Sequence, residues 1–167
     1  MPSEPRILAL RDDLVDTLAA MSKAEGYWYD YGTVQVAAAA DWDATPDFDE
    51  PRRYVLWDGE EETDSKWGGE AAEGSGTNRF RRWYSFIVTV AVKDTTDPER
   101  IAWRIQDDHH RALIGQSNRH RSGTRVNTTD TGVAWEPLYE GGQPLGGVLA
   151  MRYAIRWDHL SGDMASQ

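Results

Sequence analysis

The chain has 167 residues, a formal net charge of −10 and no cysteine. This length is most simply one domain with a buried core, and the lack of thiols excludes disulfides and thiolate metal sites. Because phosphate affinity needs a basic surface, the acidic balance argues against non-specific nucleic-acid binding.

The charge is divided unevenly along the chain. Residues 1–75 hold 6 basic and 18 acidic side chains, a net charge of −12, whereas residues 76–167 hold 12 and 10, a net charge of +2. Eight tryptophans and seven tyrosines are many for this length, and such side chains are enriched at protein–protein interfaces. The composition favours an assembling protein, with core and scattered surface aromatics as the alternative.

The N-terminal sequence MPSEPRILAL has no basic region followed by an apolar run, so it does not predict a signal peptide. No segment approaches the ~18 apolar residues that a membrane-spanning helix needs. We therefore expect a protein that folds in the cytoplasm and has no membrane partner.

The first predicted element is an amphipathic helix from Glu4 to Lys23, with Gly26 at its end. Its apolar residues recur every three or four positions: Ile7, Leu10, Leu14, Leu18 and Met21. The aromatic run 27–32 follows and leads into a short strand over 33–37. Such a run either anchors the end of the helix on the sheet or offers a platform on which a ligand stacks.

Acidic segments flank the second predicted strand, Arg52–Asp58. Residues 41–51 form a loop, and their spacing of carboxylates does not match an EF-hand, which argues against a calcium site. Residues 59–77 are rich in Gly, Glu and Ser and show no periodicity. They predict a long flexible loop or an extended hairpin arm that is disordered until it meets a partner.

The central strand and helix are predicted between Asn78 and Gln116. Alternation gives the strand one firmly apolar face, made of Tyr84, Phe86, Val88, Val90 and Val92. Asp97-Pro98-Glu99 predicts a helix start, since Asp can cap the free N–H groups and Pro suits the first helical position. Apolar residues then recur at helical spacing up to Leu113, and Gly115 suits the C-terminal cap.

In the last third of the chain, residues 117–125 are basic. The sequence then predicts short strands over 124–127 and 132–136, on either side of a turn at 128–131, and a loop over 137–147. A strong strand over 148–158 and a frayed tail close the chain. We therefore expect a single α+β domain over 1–167: an antiparallel or mixed β-sheet sandwich with two helices packed on one face.

No catalytic, cofactor-binding or metal site is predicted. Asp107, Asp108, His109 and His110 are consecutive, so they spread around the helix and do not converge on one ion. His109 lies at the edge of the apolar stripe, whereas Asp107, Asp108 and His110 predict an outward or inter-subunit surface. No Gly-x-Ser-x-Gly nucleophile elbow occurs, and we expect no enzyme activity.

The layout resembles that of the tail terminator proteins of long-tailed, siphovirus-type bacteriophages and related gene transfer agents. The features that carry the resemblance span most of the chain: an amphipathic first helix, the segment Gly26 to Asp30, an Arg-flanked strand over 80–92, Asp97-Pro98-Glu99 opening a helix to Leu113, and an alternating last strand over 151–157. The resemblance implies an α+β subunit of a homohexameric ring, without catalytic residues or cofactors.

The resemblance further implies a structural virion protein of the tail or neck, assembled in the host bacterial cytoplasm. Its ring caps the finished tail tube, stops tube polymerisation and offers a head–tail joining surface. The implied partners are other copies of the chain, the major tail tube protein and a head-side connector or stopper, with DNA passing through the lumen. The alternatives are another neck or head-completion protein, or a small ligand- or nucleic-acid-binding module.

A closed ring requires two different patches of each subunit to meet. The uneven charge predicts such patches, and we expect them to face each other between neighbouring subunits. The basic candidates are Arg79, Arg81, Arg82, Arg119, Arg121 and Arg125. The acidic candidates are Asp58, Glu60, Glu61, Glu62 and Asp64.

Overall fold

The structure is a computed structural model, and it describes residues 6–31, 34–37, 53–64, 79–93, 96–114 and 127–160. Over these residues the chain forms an α+β fold with two α-helices, one short 3₁₀ helix and five strands. In chain order they are α1 (Arg6–Ala19), the 3₁₀ helix (Lys23–Glu25), β1 (Val34–Ala37), β2 (Arg53–Asp64), β3 (Arg79–Lys93), α2 (Pro98–Ile114), β4 (Asn127–Glu140) and β5 (Gln143–Leu160). The predicted α+β class is confirmed.

The described strands form one mixed sheet with the order β1-β2-β3-β5-β4. Strand β1 runs parallel to β2, and the other neighbours pair antiparallel. Strands β1 and β4 are the two edges. Within the described residues both helices cover one face of this sheet, and no second sheet stacks on it, so the sandwich part of the prediction stays a prediction.

The core lies between the helices and the central strands β3 and β5. The predicted apolar face of β3 is confirmed from Phe86 to Val92, where Phe86, Val88, Val90 and Val92 are buried. Phe86 pairs with Tyr153 and Val88 with Met151, and these two partners are buried as well. The rings of Phe86 and Tyr153 stack with centroids 5.4 Å apart. Against this face pack the buried apolar residues of the helices and of the turn after α1: Leu14, Leu18, Met21, Ala102, Ile105, Ala112 and Leu113.

Helix α2 begins where the sequence predicts. The backbone N–H of Arg100 donates to Asp97 Oδ1 at 3.1 Å, so Asp97 caps the first turn, and Pro98 takes the first position. The predicted C-terminal cap Gly115 lies outside the described residues. Helix α1 is shorter than predicted: it ends at Ala19, and a 3₁₀ turn follows, closed by Gly26 in the left-handed region (φ 85°).

The prediction of two short strands around a turn at 128–131 is wrong. Residues 127–140 are one edge strand, β4, whose register shifts between Asp130 and Gly132. The Gly132 N–H donates to Asp130 Oδ1 at 2.8 Å. This hydrogen bond stabilises a β-bulge that accommodates the extra residue. The strand therefore continues through the polar sequence that predicts a turn.

The predicted loop over 137–147 is wrong as well. Strand β4 continues to Glu140 and β5 starts at Gln143, so the connection is the two-residue turn Gly141-Gly142. Both glycines have positive φ, 56° and 80°, as a tight hairpin turn matched to strand twist requires. Proline is tolerated here because Pro137 lies on an edge strand and Pro144 lies near a strand end.

The predicted loop or hairpin arm over 59–77 is corrected in part. Residues 59–64 continue β2 past a register shift between Trp57 and Glu61 and pair with β3, which agrees with the hairpin alternative. Residues 65–77 lie outside the described residues, as do the acidic segment 41–51 and the tail 161–167.

Candidate interaction surface

The predicted acidic and basic interface residues occupy neighbouring strands. Asp58, Glu60, Glu61, Glu62 and Asp64 lie in β2, and Arg79, Arg81 and Arg82 lie in β3. The register places Asp64 opposite Arg81 on one side, and Asp158 of β5 opposite Arg81 on the other. Arg81 therefore has acidic positions beside it within its own sheet. Arg119, Arg121 and Arg125 lie outside the described residues, and the contact between subunits stays a prediction.

Asp108 is not part of an outward surface, which corrects the interpretation from the sequence. Its side chain is fully buried. Oδ2 accepts from the backbone N–H of Trp28 at 2.8 Å and from the Tyr31 hydroxyl at 2.7 Å. Oδ1 accepts from the Arg111 guanidinium at 2.5 Å. A buried carboxylate with three donors is a structural anchor, because each oxygen is occupied by a group of its own chain.

Arg111 completes this anchor from the solvent side. Its guanidinium also donates to the Gly26 carbonyl at 3.0 Å and lies 5.1 Å from the centre of the Tyr27 ring. The hydrogen bond to Asp108 raises the pKa of Arg111 above its ordinary value. The aromatic run after the first helix is therefore an anchor, as one of the two sequence interpretations proposed, although it is fixed onto α2.

The two histidines of α2 also have structural contacts. His109 is fully buried, and its Nδ1 lies 2.7 Å from the Ile105 carbonyl. His110 Nε2 lies 3.0 Å from Asp130 Oδ2, which links α2 to the bulge of the edge strand. Among the residues described, no group of three His, Cys, Asp or Glu side chains is placed to hold a metal ion.

An open groove lies on the outer side of α2, beside the turn that follows α1. Its cavity has a volume of about 490 Å³. We call it the tryptophan groove, since its apolar walls are Trp28, 50% exposed, and Trp103, 44% exposed. The Arg104 guanidinium lies 4.6 Å from the centre of the Trp28 ring, and the Trp103 indole N–H donates to Glu99 at 3.2 Å. The other lining residues are Asp97, Arg100 and Asp107.

A second exposed apolar patch lies at the turn between β4 and β5. Tyr139 is 65% exposed and Leu145 is 40% exposed, on the two sides of the Gly141-Gly142 turn. We call these two side chains the hairpin tip. Sequence reasoning did not select either patch. The signal for the first was present, because Trp103 falls between the apolar stripe positions of α2 and so points away from the core.

Among the described residues, no helix is both long enough and apolar enough to cross a membrane. No family model matches the chain, and no curated protein matches it. We therefore infer the function from the fold, the tryptophan groove and the hairpin tip.

Proposed function

We propose that this chain is a tail terminator subunit of a siphovirus-type phage or gene transfer agent, which forms a homohexameric ring. The ring caps the completed tail tube, stops further polymerisation and presents the surface to which the head-side connector or stopper joins. On this proposal the protein belongs to the neck of the virion, and DNA passes through the ring lumen.

The observation that carries the proposal is the presence of two different apolar patches on one subunit. A ring with cyclic symmetry above a dimer is heterologous: a patch on each subunit contacts a different patch on the next. The tryptophan groove lies on the helical layer, whereas the hairpin tip belongs to the sheet. Both expose large side chains of the kind that anchors interfaces, at sites where the chain's own core does not use them.

The fold supports the same proposal. The α+β architecture agrees with what the resemblance to terminator proteins implies. Two of the buried polar side chains, Asp108 and His109, are hydrogen-bonded to the chain's own backbone or side chains, as groups that hold a scaffold are.

The test is a tube-capping assay. Major tail tube protein from the same genome is allowed to polymerise with and without the purified chain, and tube lengths are measured by electron microscopy. We expect added protein to arrest elongation and to appear as a ring at one tube end. Tubes that grow unchanged with bare ends would refute the proposal. Binding to a head-side connector, without any effect on tubes, would instead support the alternative of another neck protein.

A further inference from the structure

We infer that residues 26–31 form a strap that opens from α2 as a unit, with Asp108 as its latch. The strap supplies Trp28, one apolar wall of the tryptophan groove, and α2 supplies the other, Trp103. The groove therefore loses a wall whenever the strap opens. Strap and latch belong to one chain, so they are independent of the proposed ring.

The strap is fastened to α2 by polar and charged groups. The Trp28 N–H and the Tyr31 hydroxyl both donate to Asp108 Oδ2, at 2.8 and 2.7 Å. Arg111 donates to the Gly26 carbonyl at 3.0 Å and also to Asp108 Oδ1, so it closes the latch from the solvent side. Asp108 is fully buried beneath these donors, and opening the strap removes two of the three.

The strap is built to move as one body. Asp30 Oδ1 accepts from the Lys23 N–H at 2.8 Å, and the Tyr31 N–H donates to the Met21 carbonyl at 3.4 Å, so these bonds close the turn at its base. None of the residues 26–31 is fully buried, and the three tyrosines among them are only partly buried against the core. A segment with so few buried apolar contacts opens locally at a lower free energy than the whole fold.

The two walls of the groove are held in different ways. Trp28 is held through the strap, by the bond of its N–H to Asp108 and by the Arg104 guanidinium, 4.6 Å from the centre of its ring. Trp103 is held within α2, where its indole N–H donates to Glu99 at 3.2 Å. Loss of the latch should therefore release Trp28 and leave Trp103 in place.

The test is fluorine NMR of the protein labelled with fluorotryptophan, which gives one signal for each of the eight tryptophans. The variants Trp28→Phe and Trp103→Phe identify the two signals of the groove. Asp108→Ala removes the latch. Asp107→Ala is the matched control, because Asp107 is exposed and lies 3.6 Å from the same Arg111 guanidinium.

In Asp108→Ala we expect the Trp28 signal to narrow and to move to the position of free fluorotryptophan, while the other signals stay. In Asp107→Ala every signal should stay. When the wild type is heated, the Trp28 signal should move before that of Trp135, which packs against the core. Tyr31→Phe removes one of the two bonds from the strap to Asp108, so it should lower the temperature of this early step.

Two results overturn the inference. If Trp28 keeps its wild-type signal in folded Asp108→Ala, the buried carboxylate does not hold this wall of the groove. If the Trp28 and Trp135 signals change at the same temperature in the wild type and in Tyr31→Phe, no separate unit opens and Asp108 stabilises the fold as a whole. Heating needs only these two proteins, so it decides the question even where Asp108→Ala does not fold.

Discussion

Replacing Asp108 by alanine should destabilise the protein by about 3 kcal/mol. The fully buried carboxylate satisfies the Trp28 N–H, the Tyr31 hydroxyl and the Arg111 guanidinium. Breaking a buried charge pair costs about 3–5 kcal/mol, and hydrogen bonds to charged groups contribute about 1.5–3 kcal/mol each. We take the low end of the range because the Arg111 side chain is 47% exposed and recovers water when its partner is lost.

The neighbouring Asp107 supplies a matched control. It is 59% exposed and lies 3.6 Å from the same guanidinium, so Asp107→Ala should cost no more than about 0.5 kcal/mol. The assay is urea denaturation followed by circular dichroism, with the midpoint and slope fitted separately. If Asp108→Ala is within about 1 kcal/mol of Asp107→Ala, the anchor is not what fixes the segment after α1. A decrease of about 3 kcal/mol in the free energy of unfolding of Asp108→Ala, at an unchanged urea slope, supports the role of Asp108 as the anchor.

Three further predictions concern the core, the hairpin and the cap. Burial raises the pKa of Tyr153 in the folded protein. The contribution of Tyr153 to the free energy of unfolding is therefore complete below the unfolded pKa of about 10, and above that pH it falls by up to about 1.4 kcal/mol per pH unit. Tyr153→Phe should reduce this loss of stability at alkaline pH, as measured by unfolding at a series of pH values. Gly146→Ala should lower the free energy of unfolding in urea by about 3 kcal/mol or more, because a Cβ there would lie 2.0 Å from the Val92 carbonyl oxygen. Gly142→Ala meets open space, so it should cost only the strain of its backbone conformation, at least about 1 kcal/mol. Asp97→Ala should cost about 1 kcal/mol and Asp97→Ser much less, since only alanine removes the cap; equal losses in thermal unfolding would contradict this.

Local patterns were sufficient for the central elements. The alternation in β3 and the Asp97-Pro98 signal predict a strand face and a helix start that the structure confirms, because each depends on neighbours within a few residues. The hairpin was missed although Gly141-Gly142 is a strong turn signal. Two prolines and a run of polar residues argued for a loop, and only the position of β4 at the sheet edge makes them compatible with strands.

The role of Asp108 could not be predicted from the sequence. On a helix, a carboxylate beside another acid normally indicates a solvated surface. Its burial depends on donors that are 80 and 77 residues away in the chain, Trp28 and Tyr31. No local pattern reports such a pairing, whereas the exposed Trp103 was readable as a position off the apolar stripe.

Native mass spectrometry of the purified wild-type chain tests directly whether the protein forms a closed ring. We expect one discrete closed species, a hexamer of the 18.9 kDa chain, whose mass does not change as the protein concentration rises. A strict monomer at every concentration, or an open series of ever larger oligomers, would contradict a ring-forming subunit.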